Sequence, residues 1–158
     1  MKTKGTKNCQ LIECIDKYKN IWRIRCDIVE DDEGSTYEEF EFNHKPSSDE
    51  IKETLLSFYN SKIDDKIQSG FVWKDMPVWL SKENQFNYKA AFDLSQQTNG
   101  ENLPVKFKFG TTVEPVYYEV TTLQELNDFY TKAISYINST LEEGWKEKDA
   151  IDFSLYNI

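Results

Sequence analysis

This 158-residue chain has little of the usual raw material of catalysis or covalent bracing. It holds one histidine, His44, and three cysteines, Cys9, Cys14 and Cys26. An odd number of thiols gathered toward one end does not make a disulfide framework. A zinc site wants four ligands at matched spacing, which His44 cannot complete, so no metal and no cofactor are expected. The chain lacks a run of about 18 apolar residues, and its polar start lacks the apolar segment of a signal peptide. Synthesis in a cytosol and no membrane contact are therefore expected. Basic residues are outnumbered, 19 against 28 acids, for a net charge of −9. Nucleic-acid binding needs Lys and Arg gathered on one face, and only Lys2, Lys4 and Lys7 cluster, at an end expected to fray. No nucleic acid is expected as a partner. G-x-S-x-G turns and Gly-rich phosphate loops are missing as well.

What the chain does have is rings: four Trp, nine Tyr and ten Phe, 15% of its residues. Each offers about 150–250 Å² of burial, so aromatics rather than branched aliphatics should dominate the core. Rings also anchor protein interfaces, and a chain this rich in them can place some outside the core. The length suits one domain able to bury roughly two-thirds of its unfolded surface.

Residues from Gln10 to Asn43 read as strands. Ile21 to Val29 and Tyr37 to Phe42 alternate apolar with polar, joined by an acidic hairpin containing Gly34, and Leu11 to Ile15 can add a further strand. Ser47-Ser48-Asp49-Glu50 supplies a cap and first-turn carboxylates for a helix to about Gln68. Its stripe is Ile51, Leu55, Phe58, Tyr59, Ile63 and Ile67. A hairpin-like stretch follows from Phe71 to Leu80, with its turn placed at Asp75-Met76-Pro77. Ser81 caps a second helix to Gln97, in which Phe86, Ala90 and Leu94 share one face and Tyr88 and Phe92 another, a pattern that predicts cover on both. Leu103 to Phe109 and Pro115 to Val120 read as strands. Thr122 with Glu125 then makes a capping box for the longest helix, whose buried stripe is predicted as Leu123, Leu126, Tyr130, Ala133, Ile137, Leu141 and Trp145. Gly144 should weaken its last turns. The fold class expected is α+β: antiparallel hairpins alternating with three helices in ββα-like units, as a single compact domain. Within it, residues 1–70 form a β-hairpin plus helix subdomain and 71–158 a β-α-β-β-α region.

No catalytic residue emerges from the candidate sites. His44 has no nameable partner, and a Ser/His/Asp arrangement needs a carboxylate orienting the imidazole beside a strained nucleophile. The pair Glu83 and Asp93 is the one carboxylate combination worth naming, although nothing brings the two together. The acidic run Asp27, Glu30, Asp31, Asp32, Glu33, Glu38, Glu39 and Glu41 departs from the calcium-loop pattern and reads as a solvated hairpin whose like charges discourage edge pairing. Trp73 and Trp79 flank the tight turn; core or helix packing is the more frequent place for such rings, and the functional alternative is a stacking platform for sugars or peptides. Together with Phe86, Tyr88 and Phe92 they form the candidate interface.

The stretch from Met76 to Phe92, the strand Leu103-Pro-Val-Lys-Phe-Lys-Phe-Gly and the closing Glu143-Gly-Trp-Lys-Glu-Lys-Asp-Ala-Ile together resemble a domain of unknown function found in bacteriophage and prophage proteins near tail-fibre and tail-assembly genes. The residues that carry the likeness are Ser81, Asn84, Gln85, Asn87, Pro104, Lys148, Ala150 and Ile151. The N-terminal part, with Trp22 to Phe42 and the helix after it, resembles small proteins of phages infecting gut bacteria of the Bacteroides group. The likeness implies a non-enzymatic virion or assembly protein, made in the host cytoplasm. It would be tail- or fibre-associated or head-decorating, would contact other phage structural proteins and would form a homo-oligomer. The alternative is a carbohydrate- or receptor-binding module of a phage.

Overall fold

Alternation of apolar and polar residues builds the longest strands of the computed structural model, which describes residues 2–157. Four strands, β1 (Thr3–Gly5), β2 (Ile12–Asp16), β3 (Ile21–Glu30) and β4 (Ser35–Phe42), form one antiparallel sheet in the order β1-β4-β3-β2. β3 bulges between Cys26 and Val29, where Asp27 takes a φ of 51°, a left-handed conformation that aspartate tolerates better than most residues. The segment from residue 3, expected to fray because it lies near a terminus, is paired instead: Thr3 with Tyr37 and Gly5 with Ser35. Glycine is needed at both 5 and 34, because a Cβ on Gly34 would collide with the Gly5 carbonyl and one on Gly5 with the Tyr37 ring.

Helix α1 (Ser48–Ser69) opens on a capping box. The Glu50 carboxylate accepts from the Ser47 amide and hydroxyl, both at 2.8 Å, and Ser47 Oγ accepts from the Glu50 amide at 3.3 Å. Contacts divide the chain into two compact units, Met1–Phe58 with Ala150–Ile158, and Tyr59–Asp149. The boundary lies elsewhere than residue 70, because the second half of α1 carries Ile63 and Ile67 into the second unit's core and the last residues belong to the first unit.

In the first unit Ile24 and Cys26 from β3 meet Ile51 and Leu55 from α1. A short 3₁₀ helix, Phe153–Tyr156, which the sequence pattern did not reveal, completes this cluster. Its Tyr156 is buried and donates to the Arg25 carbonyl at 2.7 Å. Fully buried Ile24 and Leu55 each contribute about 1.5–3 kcal/mol by removal of apolar surface from water.

The second unit carries β5 (Phe71–Trp73) and β6 (Met76–Val78), α2 (Lys82–Gln97), β7 (Val105–Gly110) and β8 (Pro115–Val120), and α3 (Leu123–Asp149). Three successive strand-strand-helix runs are therefore present, and the α+β class with antiparallel pairs holds. The β5–β6 turn is Lys74-Asp75, with φ of 48° and 62°, one step earlier than predicted. Two positive-φ residues in a two-residue loop match the twist of a tight hairpin.

The core of this unit is a ring cluster around Phe129, which is fully buried. Ring centroids of Tyr88, Trp73, Phe109 and Phe107 lie 5.0, 5.1, 5.3 and 5.6 Å from its own. The stripe predicted for α3 omitted Phe129 and included Trp145, which is exposed. Leu126 and Ala133 are buried as predicted and Tyr130, Ile137 and Leu141 pack partly buried beside them, while the fully covered line also takes in Phe129, Thr140 and Gly144. Small residues sit at its end because α1 comes close: a Cβ on Gly144 would overlap the Ile63 side chain. Gly144 is thus a packing requirement rather than a weak point in the helix.

Candidate functional site

His44 does have a partner, which short-range pattern reading missed. Its Nε2 lies 2.8 Å from Glu50 Oε1, six residues on and across the turn into α1. The other oxygen of Glu50 is committed to Ser47, so the carboxylate stands between hydroxyl and imidazole. A nucleophilic chain needs the imidazole in the middle, and this order is inverted. Hydrogen bonds from the Ser47 amide, the Ser47 hydroxyl and His44 hold the exposed Glu50 carboxyl down at about 2, the condition of a permanent helix-capping anion.

Glu83 and Asp93 stand ten residues apart on α2, about 15 Å along its axis, which is too far for a cooperating carboxylate pair. Asp93 pairs with Lys89 at 2.6 Å. Among the described residues no group of His, Cys, Asp or Glu is arranged to hold a metal ion.

The acidic run is more engaged than a solvated tip. Asp31 caps its own turn by accepting from the Glu33 and Gly34 amides, Glu30 accepts from the Asn8 amide, and Asp27 pairs with Lys2 at 3.0 Å. Glu41 lies 2.6 Å from Arg23, and Glu39 lies 3.3 Å from Arg23 and 3.7 Å from the buried Arg25. Arg25 also donates to Glu13 at 2.7 Å and to the Gln10 carbonyl at 2.8 Å, over the Tyr37 ring. The hydrogen bond from Arg25 holds the Glu13 carboxyl below its ordinary value. These charges organise the sheet and leave no cluster of free carboxylates for a cation.

A cavity of about 310 Å³ opens beside the start of α1, lined by Asp49, Lys52, Phe153 and Ser154 among others. The Ser154 hydroxyl donates to Asp152 at 2.6 Å, and the Lys52 ammonium lies over the Phe153 ring, so its polar groups serve the local fold.

The five ring residues proposed as an interface part company. Trp73 and Tyr88 are core: Trp73 is 2% exposed and donates from its indole to Asp128 at 2.9 Å, and burial pushes the Tyr88 hydroxyl up to about 12. Neither can face a partner, because β5 and the inner side of α2 both point into the Phe129 cluster. A sugar platform of two tryptophans is lost with Trp73. Phe92 is half-buried and stacks on Tyr130 with centroids 4.4 Å apart. Trp79 and Phe86 are exposed, at 50% and 72%.

Phe86 does not stand alone. Ala90 and Leu94, on the same helical face, are exposed too, and so the prediction that both sides of α2 are covered fails. The covered seam is Tyr88, Ala91, Phe92 and Ser95, and its closing serine hid it from an apolar-pattern reading. The start of α2 is rigidly built. Ser81 Oγ accepts from the Asn84 amide at 3.2 Å, the Asn84 side chain donates to the Trp79 carbonyl at 2.8 Å, and the Gln85 side chain donates to the Leu80 carbonyl at 2.7 Å. Ser81, Asn84 and Gln85, which carry part of the sequence resemblance, therefore fix how Trp79 enters the helix. No known protein family, curated protein or solved structure matches this chain.

Proposed function

We propose that this chain is a non-enzymatic bacteriophage protein, a structural or virion-assembly component that works through protein–protein contacts. It would be tail- or fibre-associated or head-decorating, with other phage structural proteins as its partners. The observation that carries this reading is the solvent-facing row Phe86, Ala90 and Leu94 on α2, with Trp79 at the helix entry. A soluble helix normally turns its apolar residues inward, and this one already has a separate buried seam. Large rings held in water by a rigid element are the usual anchors of an interface. The phage assignment comes from the resemblance carried by Ser81, Asn84, Gln85 and Asn87 and by the strand and helix segments that follow them.

Photo-crosslinking during phage growth tests the reading. Benzoylphenylalanine in place of Phe86 should give a covalent adduct with a virion protein, whereas the same probe in place of Tyr18, a fully exposed ring of the first unit, should give none. An adduct of twice the chain's mass reports a second copy, and any other mass reports a different virion protein. Equal adducts from both positions, or none from position 86, would overturn the proposal.

A further inference from the structure

We infer that Glu125 is the release point of a latch: its charged carboxylate holds the β5–β6 turn against β8 and the start of α3, and its protonation frees the turn. Both residues of that turn are left-handed, a conformation for which glycine and asparagine are the usual choices, and the first of them is Lys74. Lysine has no short polar side chain to steady such a backbone locally, so the steadying contact comes from further away. The hairpin also stands alone. β5 and β6 form a two-stranded sheet that no third strand joins, and such a pair is marginal unless side chains secure it.

Lys74 reaches two other elements. Its ammonium donates to the Tyr118 hydroxyl at 2.8 Å and to Glu125 Oε1, and it lies 4.6 and 5.1 Å from the centroids of the Trp73 and Tyr118 rings. Tyr118 donates to the same Oε1, while Oε2 accepts from the Thr121 amide at 3.3 Å, just ahead of α3. One carboxylate therefore joins the turn, β8 and the helix entrance, and only 18% of its side chain is exposed. The neighbouring acids are not substitutes for it: Asp128, one turn along α3, accepts from the Trp73 indole and pairs with Lys132 at 2.9 Å, and Asp75 is exposed. Hydrogen bonds from Lys74 and Tyr118 hold the Glu125 carboxyl below its ordinary value, and the bond to Glu125 holds the Lys74 ammonium above its own. The latch is therefore complete at neutral pH, stays complete down to the ordinary glutamate value of 4.5, and lets go as pH falls through the lowered one. The Glu50 cap of the first unit titrates in the same acid range, so the readout has to be local.

Residue-resolved NMR of the full chain supplies that readout. At about neutral pH the amides of Trp73 and Met76, which close the two-residue loop, should exchange about tenfold faster in Glu125→Gln and in Lys74→Met. Those of Phe71 and Val78, at the far end of the hairpin, should stay within about twofold of wild type. The double variant should be no faster than either single one, because both remove the same bond. Glutamine at 125 can still accept from the Thr121 amide, which keeps the cap of α3, and circular dichroism checks that the helices remain. On acidification of the wild-type chain, the Glu125 carboxyl carbon and the Tyr118 ring carbons should move with one shared midpoint below 4.5, and the Tyr118 movement should vanish in Glu125→Gln. Unchanged exchange at Trp73 and Met76 in both variants, effects that multiply in the double variant, or a Tyr118 movement that survives in Glu125→Gln would overturn the inference. If a variant fails to fold, the wild-type titration still decides: separate midpoints, or a shared one at or above 4.5, overturn it.

Discussion

In the first unit charge occupies a place that apolar residues usually fill: Arg25 lies buried in β3, held by Glu13, Glu39 and the Gln10 carbonyl. This group lies on the face of β3 opposite the apolar cluster of Ile24 and Cys26, whereas burial in the second unit centres on Phe129, ringed by Trp73, Tyr88, Phe107 and Phe109. A buried guanidinium depends on its partners, and losing one leaves a desolvated charge behind. A ring cluster depends on volume, because its packing attraction is spread over many weak contacts and fails only when a void opens. The two units should therefore answer differently to the same perturbations.

The sharpest separation should come from Phe129→Ala. Removing the central ring should cost about 3–5 kcal/mol in urea unfolding, since its neighbours cannot all collapse inward. A loss under about 1 kcal/mol would mean that the cluster tolerates a void and that the ring-centred account of this unit is wrong.

Arg25→Met should come next. It leaves Glu13 and Glu39 without their buried partner, but Glu13 is part-exposed and Glu39 keeps its ion pair with Arg23, so the cost should be about 1–3 kcal/mol, below that of a fully buried pair. Adding Glu13→Gln should recover part of the loss. Unfolding measurements on the two variants decide this, and a stabilised Arg25→Met would show that the charges are a burden on the sheet rather than its organiser.

Much of this contrast was legible in the sequence, for reasons that can be traced residue by residue. Alternation announced β3 and β4, and the serine cap with first-turn carboxylates at 47–50 and the Thr122/Glu125 pair announced α1 and α3, because these signals lie within a few residues; the reciprocal bonding of Ser47 with Glu50 was seen only in the structure. The partnership of Arg25 with Glu13 and Glu39 was not visible, since sheet register rather than spacing creates it. The 3₁₀ helix at 153–156 escaped for the same reason: it docks on residues more than a hundred positions earlier. In α2 the reading had the right two faces but gave both a cover, because Phe86, Ala90 and Leu94 look like core until the seam through Ser95 is seen. Trp73 and Tyr88 stood among the candidate interface rings, although packing was the commoner expectation for Trp73, because sequence shows that a ring is present and not which way its backbone turns it.

A gentler probe is the α1 cap. Glu50 is held near 2 against about 4.5 for an ordinary glutamate, so its favourable contribution is complete above that ordinary value and disappears as pH falls through the lower one. Glu50→Gln should be less stable than wild type at neutral pH, and thermal melts should converge as pH falls from about 4.5 toward 2. A gap that stays constant across that range would remove the ionic part of the cap.

The smallest effect on folding, and the most informative, belongs to Phe86→Ala. One preparation of this variant can be measured both for unfolding free energy and for association. The account predicts stability within about 0.5 kcal/mol of wild type, with association through α2 sharply weakened. A stability loss of the size expected for Phe129→Ala, with association unchanged, would place Phe86 among the core rings and contradict the claim that α2 turns an apolar face outward to bind another protein.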